Sequence, residues 1–528
     1  MAGEVPLLQQ TDRGPTLLFR DVAFYPGPDP VEYARRKARV FSCEPRTLVF
    51  VPSVGLGHGL TELLERIPPD SFVLCVEAFQ EVMAVAMQAG IPRDPRLLVV
   101  RASEPVVVAE AVRRIGPGRF RRVREAVLCG GYRLASGLYR ELRAAAEDEI
   151  GRWWRNRVTL MALGSLQVRN ILANLPLFPA AVDFGELSTG LPVVVAGAGP
   201  SLGLTIPALH RVRRKYTLVA VDTALPCLRA SGLVPDLVMA LEAQHANLAD
   251  FVPGTDHDTV LACDISTHPS VTRLFAGRLC LFSSAFAELR LFDRMAACGI
   301  LPAVIPALGS VGVAAAWAAL RLTRGPVFLT GLDFSYSFGM THARGAASHL
   351  SALVRATRLL PPGEESLVAI LSRGAVPAPS KDGGRVLTDR VLRSYRDSLA
   401  AIVAAESARV ADAGPVGLDL GAHRVDPEEM VGILSDSAAA PGLSIGRRPF
   451  TADRVRAFLA GEASLLRRAA AVRTDSDECA ALLEEARHAW LHFPDEPDLE
   501  HPAPDFVARV RVAAGYYLRL VERLESSV

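Results

Sequence analysis

The chain has 528 residues, half of them hydrophobic and 22% charged, which suits a globular protein of two to four domains and excludes dominant disorder. Lysine and arginine number 58 against 57 aspartate and glutamate, so no global basic field points to nucleic acid. The eight cysteines include no Cys-x-x-Cys pair and suit neither a disulfide framework nor a zinc site, which points to a reducing cytosol.

The N-terminal stretch MAGEVPLLQQTDRG lacks the basic and apolar regions of a signal peptide. No apolar run reaches the ~18 residues of a membrane span, so a cytoplasmic protein without a membrane span is expected. Residues 1–185 read as an α/β domain. TLVFVP (47–52) is a buried strand, followed by Gly55, Gly57 and Gly59, the helical LTELLERI, and a second strand ending near Glu77. Strand, glycine turn, helix, strand and acid is the order of Rossmann-like units. It superficially resembles a dinucleotide or S-adenosylmethionine site, but no catalytic groups accompany it. A long amphipathic helical stretch from Leu138 to Leu175 closes this region.

Residues 186–440 repeat strand and helix. The strand candidates are 193–197, 217–222, 236–242, 259–263, 279–283, 303–306 and 326–331. They are short and apolar without alternation, as parallel strands buried on both faces are. VGVAAAWAALRL after Ser310 is a helix between two of them. The expected fold is a doubly wound parallel α/β sheet. Residues 441–528 carry no strand signal. Thr451 can cap a helix there, and segments 476–489 and 504–524 follow around a Pro-rich break at 494–504. A small helical domain is expected.

Ligands of open parallel sheets bind at the carboxyl ends of the strands. The exits here hold Gly197-Ala-Gly199-Pro200-Ser201, then Asp222-Thr223, Glu242, Asp264 with His268, Ser310, and finally GLDFSYSFGMTHA (331–343). Gly197 and Gly199 let the backbone approach a ligand, and Pro200 and Ser201 suit a first helical turn, which favours an anion. A plain strand-to-helix turn fits equally well. Asp222 fits a ribose contact or an N-cap, and Ser310 an anion site or an N-cap. The last loop concentrates Asp333, Tyr336, Thr341 and His342. A histidine there can take a proton from an attacking hydroxyl, because its pKa lies near neutrality.

VVVAGAGPSL, LVAVDTALPCLRASGLVPDLVMALEAQ, STHPSV, GSVGVAAAWAALRL and VFLTGLDFSYSFGMTHARG together resemble the Maf (motility-associated factor) glycosyltransferases. KDGGRVLTDRVLRSYRDSL and LQVRNILANL extend the resemblance. The central domain of that family is related to 6-hydroxymethylpterin diphosphokinases and looks like sialyltransferase folds. The resemblance implies transfer of a nonulosonic acid, such as pseudaminic or legionaminic acid, from a CMP-activated donor to Ser/Thr of flagellin. It implies Gly197, Gly199, Pro200, Ser201 and Asp222 at the nucleotide, with Thr223 and Glu242 at neighbouring exits. Asp333, Thr341 and His342 would lie at the donor phosphate and reacting centre, with His342 as general base and Ser310 and Thr341 at the leaving phosphate. No metal or further cofactor is expected under this reading.

The chain departs from the family pattern at three places. Leu332 replaces a glutamine and cannot make an amide's hydrogen bonds. Glu242 stands where the family often has aspartate, and a late polar segment appears only as LDLGAHR (418–424). Two alternatives follow. One is an ATP-dependent pterin diphosphokinase with Mg²⁺ on Asp222, Glu242, Asp264 and Asp333. The other is a non-catalytic flagellin-binding accessory protein.

Overall fold

Apolar runs separated by glycine turns build two parallel sheets in the computed structural model, which describes residues 5–252, 254–256, 258–284, 286–437, 439–494 and 498–527. The first four residues of the N-terminal stretch, and 495–497 of the Pro-rich break, lie outside the described residues. The chain divides into two compact units, Met1–Leu160 and Met161–Val528.

In the first unit β1 (Leu7–Thr11), β2 (Gly14–Phe19) and β3 (Val22–Ala23) form a small antiparallel sheet. α1 (Pro30–Val40) follows, capped by the Asp29 carboxylate at the Glu32 amide. β4 (Thr47–Pro52), β5 (Phe72–Glu77), β6 (Leu97–Arg101) and β7 (Arg122–Glu125) pair in the order β6-β5-β4-β7. α2 (Leu60–Arg66), α3 (Gln80–Ala89) and α4 (Pro105–Ile115) lie between them in sequence, and α5 (Ser136–Asn174) follows. β4 and β5 are buried at every residue, which explains their unbroken apolar sequence.

The glycine turn after β4 has partners within its own unit. The Leu56 amide donates to the Tyr25 hydroxyl at 2.8 Å. A Cβ on Gly59 would fall 2.8 Å from the Ala34 carbonyl oxygen, so α1 packs directly on the turn. Glu77 is buried and accepts from Ser53 Oγ, the Val54 and Phe79 amides and the Tyr139 hydroxyl, at 2.9–3.1 Å. The pattern that resembles a cofactor fingerprint is thus satisfied by the chain itself.

The second unit opens with β8 (Val182–Asp183), β9 (Leu187–Ser188) and β10 (Val193–Ala196). α6 (Leu202–Arg211), β11 (Thr217–Val221), α7 (Leu225–Ala230), β12 (Leu237–Ala240) and β13 (Val260–Asp264) follow. Next come α8 (Pro269–Thr272), β14 (Leu279–Phe282), α9 (Arg290–Ala297), α10 (Val311–Leu322) and β15 (Val327–Thr330). α11 (Ala347–Arg355) and α12 (Pro362–Ser372) lead to the hairpin of β16 (Val376–Pro379) and β17 (Arg385–Thr388). α13 (Arg390–Ala405), β18 (Val410–Asp412), β19 (His423–Arg424) and α14 (Pro427–Asp436) follow, and β20 (Ser444–Ile445) pairs with β9. The nine-stranded sheet runs β19-β18-β15-β10-β11-β12-β13-β14-β8 and is parallel throughout. Strand order reverses at the β10–β15 pair, the topological switch point.

The expected strand at 303–306 is absent. Val304 makes only an isolated bridge to Ser283, because Pro302 and Pro306 bracket it and lack donors. β8, β18 and β19 are two or three residues long and give no apolar run to detect. The two-unit division differs from the expected 1–185, 186–440 and 441–528. Its boundary falls within α5, and the C-terminal helices count with the large sheet.

Those helices are α15 (Ala452–Ala471), α16 (Cys479–Glu485), α17 (Arg487–Trp490) and α18 (Pro504–Glu525), with Thr451 capping α15 at the Arg454 amide. Buried Glu462 ties α15 to α9. Arg294 donates to its two oxygens at 2.9 and 3.1 Å, and His488 Nε2 lies 2.8 Å away. Burial alone would raise the Glu462 pKa, but His488 and Arg294 together hold it down at about 2. The stability this carboxylate contributes is therefore present above its ordinary 4.5 and is lost as pH falls from there toward 2. Glu462→Gln removes the buried one of the two carboxylates that meet Arg294, leaving only Glu485 at 3.0 Å, and is expected to cost ~2 kcal/mol in urea unfolding at pH 7. A variant as stable as the native chain would show that the pair does not hold the helices to the sheet.

Candidate active site

The turn after β10 and the loop after β15 meet at the switch point through glycines. The Gly197 amide donates to the Thr330 carbonyl at 2.8 Å, and the Gly199 amide to the Gly331 carbonyl at 2.7 Å. A Cβ on Gly197 would fall 2.4 Å from the Gly331 oxygen, and one on Gly199 2.6 Å from Asp333 Cγ. Ala343 then donates its amide to the Ala198 carbonyl at 2.9 Å and closes the loop back onto the turn.

The anion at the start of α6 belongs to the chain. Asp333 accepts the Ser201 amide at 2.8 Å on one oxygen and the Ser201 hydroxyl on the other. Ser201 makes no side-chain cap of its own helix. Asp333 is only 3% exposed, and burial pushes its pKa up to about 6 against the pull of the Ser201 hydrogen bonds and the Lys381 charge. Behind it Lys381 Nζ and Asp412 form a buried ion pair at 2.6 Å. The Leu418 amide donates to the Asp333 carbonyl at 2.9 Å, and Gly417, at φ +120°, packs against the Asp333 backbone. The LDLGAHR segment therefore buttresses Asp333.

A cleft of about 190 Å³ opens beside this junction. Gly197, Gly199, Thr223, Ser310, Asp333, Tyr336, Thr341 and His342 all line it. His342 Nδ1 lies 3.2 Å from both Thr341 Oγ1 and Ser348 Oγ, which leaves Nε2 without a hydrogen bond among the described residues. Burial, and then the Arg373 charge, lower the His342 pKa, so the ring is neutral at pH 7. Ser310 is the N-cap of α10, yet its hydroxyl makes no cap hydrogen bond. The Tyr336 hydroxyl donates to Asp389 at 2.7 Å, while Asp389 caps α13 with its other oxygen.

Pro200, Ser201, Asp222 and Glu242 are not among the residues lining the cleft. Ser201 is committed to Asp333 at the start of α6. Asp222 is buried at the β11 exit, where its carboxylate accepts from the Thr223 amide at 2.8 Å and from Asn247 Nδ2 at 2.9 Å. Burial, and then the Asp250 charge, push it up to about 7. Glu242 is exposed beyond the end of β12. Asp264 is saturated by the Ser266 amide and hydroxyl and by the Ser284 amide.

Arg373 and Tyr395 line the cleft without having been singled out in the sequence, and so does Leu332, which the sequence marks only as a departure from the family pattern. Arg373 and Tyr395 lie outside any exit motif, and only the chain's return over the sheet edge brings them in. Leu332 packs between the glycine turn and the start of α10, since a Cβ on Gly197 or Gly312 would fall 2.6 or 2.7 Å from its Cδ2. LQVRNILANL also gains a role. Asn170 and Asn174, one helical turn apart, donate to the Ala243, Ser266, Ile265 and Thr267 carbonyls at 2.8–3.0 Å and fix the β12 and β13 exits.

A family model for 6-hydroxymethylpterin diphosphokinase MptE-like proteins matches residues 169–339. The chain is 28% identical over 572 residues to an uncharacterised protein of Treponema pallidum (strain Nichols), covering 99% of this chain and 96% of that one. A further T. pallidum protein is 27% identical over 241 residues, covering 40% of this chain and 61% of its own length. Among solved structures, the Maf glycosyltransferase of Magnetospirillum magneticum AMB-1 is similar at a TM-score of 0.58 and 16% identity, covering 99% of this chain and 90% of that one. Among the described residues no helix is long and apolar enough to cross a membrane. The chain thus has the fold of a Maf glycosyltransferase around an MptE-like segment, in agreement with the resemblance its motifs carry.

Proposed function

We propose that the chain is a cytoplasmic glycosyltransferase that moves a nonulosonic acid from a CMP-activated donor to Ser/Thr of flagellin. The observation that carries this reading is the switch-point cleft. It gathers a neutral histidine with an open Nε2, an uncapped helix N-terminus at Ser310, and the hydroxyl of Thr341. The likeness of fold to a Maf glycosyltransferase supports it.

In this mechanism His342 Nε2 takes the proton of the acceptor hydroxyl, with Nδ1–H donating to Thr341 or Ser348. The hydroxyl oxygen bonds to the anomeric carbon as the bond to the CMP phosphate breaks. The leaving phosphate takes that electron pair, and Ser310, Thr341 and the first amides of α10 stabilise its charge. Asp333 acts as a positioning residue, because both its oxygens serve Ser201. A second reading, the ATP-dependent pterin diphosphokinase, is favoured by the family match alone. Of the carboxylates it would use for Mg²⁺, Asp264 and Asp333 are already engaged by donors of the chain.

Intact-protein mass spectrometry of flagellin incubated with a CMP-nonulosonic acid should show added sugar mass, with His342→Ala lowering the rate ~100-fold or more. Thermal stabilisation by ATP but not CMP would favour the diphosphokinase instead. Flagellin binding with no transfer would favour the accessory role. Because the His342 pKa is lowered, the protonated, inactive form appears only below its ordinary 6.5. The acidic limb of kcat/KM should therefore lie below pH 6.5, and a limb above it would remove His342 as the base. Asp333→Asn puts an amide against the two Ser201 donors and should lower stability by ~1–3 kcal/mol in chemical denaturation, whether or not substrate is present.

A further inference from the structure

The cleft carries one arginine or lysine side chain among its lining residues, Arg373, which follows α12. Several arginines of this unit meet acids, Arg211 with Glu428, Arg229 with Asp256 and Arg294 with Glu462, and others such as Arg278 and Arg424 serve backbone carbonyls. Arg373 does neither. Among the described residues its guanidinium makes a single hydrogen bond, from Nη1 to the Tyr336 hydroxyl at 3.1 Å. That hydroxyl gives its proton to Asp389, which the N-terminus of α13 holds in place. Asp389 and Tyr336 thus fix one nitrogen of Arg373 by a neutral acceptor and leave the remaining donors open. A cation at a helix C-terminus ordinarily serves the helix's own last carbonyls. Here the side chain goes to Tyr336 instead.

A planar fork of N–H donors, steadied at one end and unpaired at the other, matches a phosphate oxyanion. We propose that Arg373 is the phosphate-recognition residue of the cleft, positioned by the Asp389–Tyr336 pair. The inference deepens the donor-site reading above and rests on it. It commits the cleft to a ligand with a phosphate group rather than to a neutral nucleoside or a bare sugar acid. It also makes Tyr336 a positioning residue, since its proton is committed to Asp389.

The test is calorimetric titration of the full-length protein with CMP, cytidine and inorganic pyrophosphate. The native chain should prefer CMP to cytidine. Arg373→Ala should weaken CMP by about tenfold to a hundredfold and leave cytidine unchanged, with Arg373→Lys in between. Arg373 is exposed at the surface, and matching melting curves will show that the variants fold. An Arg373→Ala protein with the native CMP-to-cytidine ratio overturns the inference and leaves the nucleotide reading standing. Pyrophosphate binding that depends on Arg373, without CMP binding, sustains the inference and sinks the nucleotide reading. Binding of neither CMP nor pyrophosphate to the native chain overturns both.

Discussion

The carboxylate of Asp333 seated at the first turn of α6 is the contact on which the switch point depends. An open helix N-terminus concentrates positive potential and unpaired amides, and something negative must meet it. In many nucleotide-binding sheets that partner is the ligand's phosphate. Here it is a side chain from the loop after the neighbouring strand β15, more than a hundred residues later. This pair of hydrogen bonds joins the Gly197, Gly199 and Ala343 amide bonds in locking the two walls of the cleft to each other. The cost is a buried carboxylate, offset by Ser201 and by the positive end of the Lys381–Asp412 pair. Segments as distant as 380–418 exist in part to hold that one group.

Glycine is the condition for this contact. Gly197, Gly199 and Gly331 stand where two backbones run within hydrogen-bond distance, and a side chain at any of them would meet a carbonyl or Asp333 at 2.3–2.7 Å. Leu332 then fills the apolar space between the turn and α10. An amide in that place would bury two donors against methylenes and backbone. The leucine at this position is thus a packing solution between the turn and α10.

Much of this was legible in the sequence because parallel strands buried on both faces announce themselves as apolar runs. β10 to β15 appear where those runs stand, and the exits between them named eight of the residues that line the cleft. Three things were not legible. Bracketing prolines turned 303–306 from strand to extended loop. Asp333 and Ser201 both read as ligand contacts, since periodicity cannot show that two residues so far apart satisfy each other. Arg373 has no motif, because what gives it meaning is its one hydrogen bond to Tyr336 and, among the described residues, the lack of an acid beside it, which only the fold reveals.

The two glycine turns of this chain separate a Rossmann-like pattern from a site. After β4 the turn is closed by Tyr25 and α1, and Glu77 meets four donors. Among the described residues, Glu77 and the Leu56 amide are thus engaged within the chain. After β10 the helix side is equally closed by Asp333, and Asp264 three strands away is closed by its own loop. Yet along the cleft between β10 and β15, among the described residues, His342 Nε2, the Ser310 hydroxyl and most of the Arg373 fork are left without hydrogen bonds. His342 and Ser310 are half-buried, where an unmade hydrogen bond is costly, while Arg373 is open to solvent at the rim. Their convergence on one side of one switch point, while Asp264 and Asp333 are engaged by the chain, is what the proposed donor site rests on.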